Sequence, residues 1–186
     1  METDNSVDKS SKIKELDISE VEKKGIGSML GMAIGDAMGG RYEFEDLRYN
    51  TVDLLNMGEG YGGIDHLLPG QWTDDTSMGL SIADSLLMNN GKLSEHDVMH
   101  KFIAWWRAGY NNAFRYNAQP RSSVGLGGNI SLSFTYYLNY YNRYKQLTNP
   151  QTYAGDQNTS GNGSIMRNAA IPICFHKNIN LICENA

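Results

Sequence analysis

Gly27, Gly31, Gly35 and Gly39 recur at every fourth residue inside a run whose apolar positions are spaced by three and four: Val21, Ile26, Met29, Leu30, Ala33, Ile34, Ala37 and Met38. That spacing is one face of a helix. Ser19 followed by Glu22 has the separation of a capping box and marks its start. Gly39-Gly40 marks its end. An interior glycine costs a helix about 1 kcal/mol relative to alanine. Four at one spacing therefore predict a second helix packed with its backbone very close. Asp36 and the charged first turn exclude a membrane-spanning seam. Asp36 itself, next to the apolar face, reads as a buried carboxylate bonded to neighbouring N–H groups.

The same periodicity returns downstream. Met78, Ile82, Ala83, Leu86 and Leu87 form a helical face that closes at Asn89-Asn90-Gly91. Ser94 and Asp97 open a third helix whose buried side is Val98, Phe102, Trp105 and Trp106, and Gly109 ends it. Leu132, residues 134–138 and residues 140–144 predict a tyrosine-rich fourth, its rings packed on neighbours. No alternating strand pattern interrupts them, so the fold class is all-α, in one domain of residues 18–186. Residues 1–17 are polar and charged and read as a disordered leader without a signal-peptide core.

Net charge is −5 with no basic block, which argues against nucleic acid as a partner. No apolar run approaches the roughly 18 residues of a membrane span. Cys174 and Cys183 lack a metal-type spacing and read as free thiols, so a cytoplasmic location is expected.

Three loops carry chemistry-bearing residues. Thr73, Asp74 and Asp75 stand immediately before the second helix. Oxygen-only donors suit a hard cation, while hydroxyl and acidic side chains at a helix start also suit simple capping, the commoner use. Residues 160–164, Ser-Gly-Asn-Gly-Ser, let a backbone approach a ligand, and the residues after Gly163 predict one or two helical turns ending before Pro172. A third Gly/Ser loop spans residues 120–129. The G-x-G-x-x-G at residues 58–63 lacks the flanking strand and helix of a dinucleotide site and reads as a plain loop, with His66 beyond it on the surface. His96 and His100 have a zinc-compatible separation but no third ligand, which favours an ordinary helix surface.

The ordered set is more specific than its members. Residues 31–39 with Glu43-Phe44, residues 72–78 and residues 160–167 together resemble the ADP-ribosylglycohydrolase family, including its dinitrogenase reductase-activating type. Residues 101–110 and the Val124-Gly125 loop are similar to it as well. The resemblance implies an orthogonal helical bundle around Mg²⁺ or Mn²⁺, with two ions in a complete site. It implies hydrolysis of the bond joining ADP-ribose to a modified side chain or related compound. By that resemblance Thr73, Asp74 and Asp75 are metal ligands. Glu43, with Asp74 and Asp75, belongs to the catalytic group, steering water or assisting proton transfer. Gly125, Gly127, Ser160, Gly161, Asn162, Gly163 and Ser164 hold the distal ribose and diphosphate.

Two departures accompany the resemblance. Ser123 stands where the family often has aspartate, and the second metal motif, Asp-x-Asp-Thr, does not occur. The expectation is therefore a bundle lacking its C-terminal half, which a longer product or a second chain supplies, or else a catalytically inactive module that binds ADP-ribose or a protein.

Overall fold

The computed structural model describes residues 19–43, 67–114, 123–144 and 161–186. The expected leader, the loop of residues 58–63, Phe44, His66 and Ser160 lie outside these residues. The described chain is helical: α1 (Glu20–Gly39), a 3₁₀ turn (Gly40–Tyr42), α2 (Asp74–Met88), α3 (Glu95–Ala108), α4 (Gly128–Tyr144), α5 (Ala170–Cys174) and α6 (Ile179–Asn185). Among the described residues no helix is long and apolar enough to cross a membrane.

The helix ends follow local chemistry. Ser19 and Glu22 form both bonds of the capping box. Ser94 accepts from the Asp97 N–H, and Gly109 ends α3 in the left-handed region at φ 72°. At the end of α2, the N–H of Gly91 (φ 78°) donates to the Leu86 carbonyl at 2.7 Å. One boundary differs from expectation. Residues 163–169 form successive turns, and the helix begins only at Ala170, with Pro172 inside it. Proline is tolerated in a first turn, where its missing N–H has no intrahelical partner to lose.

One core joins α2 to α5. Met78, Ile82 and Leu86 meet Phe102, Ile103 and Trp105 of α3, Phe134 and Tyr137 of α4, and Ala170 and Ile171 of α5. Full burial of each large apolar side chain stabilises the fold by about 1.5–3 kcal/mol. The Phe134 ring centroid lies 5.6 Å from that of Trp106 and 6.2 Å from that of Phe102. Along α2, Ser77, Ser81 and Ser85 are fully buried at a spacing of four. Ser77 and Ser81 donate to the carbonyls four residues earlier, so these two hydroxyls enter the core without an unmet donor.

The apolar face expected to bury α1 does so only in part. Val21, Ile26, Leu30 and Ile34 remain exposed, while Met29 packs on the core. A Cβ built at Gly27, Gly31, Gly35 or Gly39 meets no described atom within 4 Å. The close helix predicted for the glycine stripe is thus not found among the described residues. The tight approach of α1 to α2 occurs instead at Gly79, where a Cβ would collide with the Met32 thioether. His100 stays exposed on the surface of α3, as expected, and turns its ring edge-on to Tyr137 and Tyr141, with Nε2 3.3 Å from the Tyr137 hydroxyl.

Candidate active site

The acidic stretch is held from both sides. Ahead of it, the Gln71 amide donates to the Ala113 carbonyl at 3.1 Å and the Trp72 indole N–H to the Asn111 carbonyl at 3.1 Å. A small second core of Leu67, Phe114 and Val124 brings residues 123–127 alongside. Ser123, in the place of the expected aspartate, donates its hydroxyl to the Trp106 carbonyl at 3.1 Å and so ties this loop to α3.

Thr73 is the N-cap residue of α2, yet its side chain caps nothing. The cap is supplied by Asp36 from α1. Its Oδ1 accepts from the Thr73 N–H at 2.9 Å and the Thr73 hydroxyl at 2.7 Å, and its Oδ2 accepts from the Thr76 N–H at 2.9 Å. The expectation of a buried, N–H-bonded Asp36 is met. With the helix start satisfied by another helix, Asp74 and Asp75 are released from that duty. Asp74 is 3% exposed, and its Oδ1 is buried without a hydrogen-bond partner among the described residues.

A buried, unpartnered carboxylate oxygen is costly as an anion. Burial, with the charges of Glu43 and Asp75 acting in the same direction, pushes the Asp74 carboxyl up to about 8. Burial, followed by the charge of Asp36, raises Asp75 to about 6. Four carboxylates thus crowd one place. Gly125 makes room for them: its φ is 91°, and a Cβ there would overlap Asp74 Oδ1.

These groups open on a cavity of about 530 Å³. Glu43, Thr73, Asp74, Asp75, Gly125, Gly127, Asn162 and Gly163 all line it, so segments far apart in sequence share one wall. Gly161 and Ser164 face an adjoining cavity of about 300 Å³, separated from the first by Ile130 and Gly163. The lining also includes Gly35, Gly39, Gly40, Tyr42, Ile130 and Met166, which sequence reasoning did not assign to the site. The glycine spacing was the available signal for Gly35 and Gly39, but it read as helix packing; Met166 fell within the motif of residues 160–167 without a role of its own, and Ile130 carried no signal.

The oxygen-rich donor set, the orphaned Asp74 Oδ1 and the mutually repelling carboxylates fit a divalent cation. Thr73, Asp74 and Asp75 are the residues that would hold it. Among the described residues no three acidic, histidine or cysteine side chains form a ready-made cage, so further oxygens would have to complete the shell.

An all-α chain thus places a carboxylate-lined cleft beside the Asn162-Gly163 turn. The chain belongs to the ADP-ribosylglycohydrolase family, whose sequence model matches residues 18–186. It is 32% identical over 164 residues to an ADP-ribosylarginine hydrolase of Serratia proteamaculans, covering 87% of this chain and 39% of the relative. It is 32% identical over 150 residues to a Pseudomonas putida protein of the same name, covering 79% and 35%. An ADP-ribosyl-[dinitrogen reductase] glycohydrolase of Rhodospirillum rubrum is 35% identical over 92 residues, covering 47% and 30%. The chain therefore spans well under half the length of these relatives.

Proposed function

We propose that this chain carries the acidic half of an ADP-ribosylglycohydrolase site and acts on the glycosidic bond between ADP-ribose and a modified side chain or related ADP-ribosyl compound. The carrying observation is the single cavity shared by Thr73–Asp75, Glu43, Gly125 and the Asn162-Gly163 turn. The names of the relatives point to ADP-ribosylated arginine and to a modified dinitrogen reductase as substrate types.

The residues divide the work by their chemistry. The glycines at 125, 127 and 163 allow a ribose-diphosphate to lie close to the backbone. Asp36 accepts the Thr73 hydroxyl proton, which leaves the hydroxyl's lone pairs available as donors to a cation. Glu43 lines the same cavity as Asp74, near enough for its charge to act on it, and a carboxylate there steers a water or assists proton transfer at the anomeric carbon. A Mg²⁺ or Mn²⁺ ion, when bound by Thr73, Asp74 and Asp75, supplies orientation of the ribose hydroxyls and acidification of a water.

A second reading is favoured by one observation, the incomplete ligand cage among the described residues. On that reading the chain binds ADP-ribose, or a protein partner, without turnover. Incubation of the purified chain with ADP-ribosylated arginine peptide and Mg²⁺ separates the two. Release of free ADP-ribose, abolished by Asp74→Asn, supports the hydrolase. Calorimetric binding of ADP-ribose without release supports the inactive module. Absence of both sinks the hydrolase and the ADP-ribose-binding module, and leaves only a protein partner.

A further inference from the structure

Arg167 lies three residues beyond the Gly161–Ser164 turn, and its side chain folds back beneath that turn. Its Cζ sits 5.0 Å from the centroid of the Phe102 ring of α3, and its Nη1 lies 3.9 Å from the Met78 thioether of α2. A Cβ added to Gly163 would stand 4.0 Å from the same nitrogen. The Arg167 carbonyl closes on Gly79, directly after Met78 and opposite Met32 of α1. Burial pulls the guanidinium down to about 10, against the charge of Asp74, which holds it up. Among the described residues it enters no ion pair.

Such a placement is costly for structure alone, because a half-buried guanidinium without an ion-pair partner among the described residues is partly desolvated, and an apolar side chain would fill the same space without that cost. What the guanidinium provides is a stiff planar spacer touching three elements at once. Met78 follows Asp74 by one helical turn, so the same contact that supports the turn also bears on the acid-bearing end of α2. We infer that Arg167 is a positioning residue: it sets the separation between the Gly161–Ser164 turn and the carboxylate cluster, and thereby the fit of the ADP-ribosyl ligand between them. This rests on the ADP-ribosyl reading of the cavity. Where reacting groups must be aligned, a misplacement of about 1 Å can cost about a hundredfold in rate.

The test is calorimetric titration of ADP-ribose into wild type, Arg167→Met and Arg167→Lys at low temperature. Near-UV circular dichroism verifies the folded state, and Mn²⁺ binding is followed in parallel by electron paramagnetic resonance. Arg167→Met should weaken ADP-ribose by at least about tenfold, with Mn²⁺ affinity undiminished, and Arg167→Lys should recover part of the loss. Phe102→Leu, which keeps the charge but removes the ring beneath it, should weaken ADP-ribose several-fold and decides the matter if Arg167→Met does not fold. ADP-ribose affinity unchanged in the folded variants overturns the inference and leaves the ADP-ribosyl reading standing. Parallel loss of ADP-ribose, Mn²⁺ and thermal stability also overturns it, as a structural role alone. Failure of the wild type to bind ADP-ribose overturns the reading and the inference with it.

Discussion

Two stripes of small residues run along this molecule at a spacing of four, and they have opposite fates. On α1, Gly27, Gly31, Gly35 and Gly39 meet nothing within 4 Å among the described residues. On α2, Thr73, Ser77, Ser81 and Ser85 are buried, with Ser81 and Ser85 wholly inaccessible. Glycine stands out in a helical sequence because it carries a propensity cost, whereas serine is nearly neutral and attracts no attention. The quieter stripe is the one that packs. Spacing reveals that a helix has a narrow face; it does not reveal what lies against it.

The contrast can be broken most sharply at Ser81. Ser81→Leu should cost about 3 kcal/mol in urea unfolding, because the core has no room for the added atoms. A cost below about 0.5 kcal/mol would mean that the α2 stripe is not the packed one. Next comes Asp36, the one buried residue of α1 and its polar tie to α2. Asp36→Ala strands the Thr73 and Thr76 N–H groups and should cost about 2–3 kcal/mol. Retention of full stability would show that the two helices are joined elsewhere.

A third prediction uses pH. The folded-state Asp74 carboxyl is raised to about 8, above its value of 3.8 as a model group. Between those limits the folded chain holds a proton that the unfolded chain has released. Stability is therefore greatest at the acid end of the window and declines as pH rises through about 8, and Asp75, raised to about 6, adds the same sign. The decline should be on the order of a few kcal/mol in metal-free buffer and should flatten on adding Mg²⁺. Asp74→Asn should remove most of the slope and be more stable than wild type at pH 8.5. A flat wild-type profile in metal-free buffer would refute the crowded-carboxylate picture.

The smallest effect belongs to the other stripe. Gly31→Ala should stabilise the chain by up to about 1 kcal/mol, since alanine is the better helix former and no described atom opposes its methyl group. Destabilisation, or a change in sedimentation, would show that the outward face of α1 is covered in solution.

Much of the helical architecture was legible beforehand because its signals are local. Ser19 with Glu22, Ser94 with Asp97, Asn89-Asn90-Gly91 and Gly109 all end helices where their backbone chemistry says they should. The start of α5 was missed because proline was taken as a stop, although a helix accepts it in the first turn. The packing of His100 on the α4 tyrosines had no local signal, since its partners lie 37 and 41 positions away.

What the chain order alone determined was the helical class, the membership suggested by three ordered motifs, and the acidic and glycine-rich residue types gathered in them. Only the tertiary structure decided that Asp36 caps α2 from another helix, leaving Asp74 Oδ1 buried and without a hydrogen-bond partner among the described residues. It also decided that Asp74 shares one cavity with Asn162 and Gly163. The physical reason is range. Caps and periodicity act within a turn or two of the backbone, whereas satisfying a buried carboxylate depends on groups that meet only after the helices have docked.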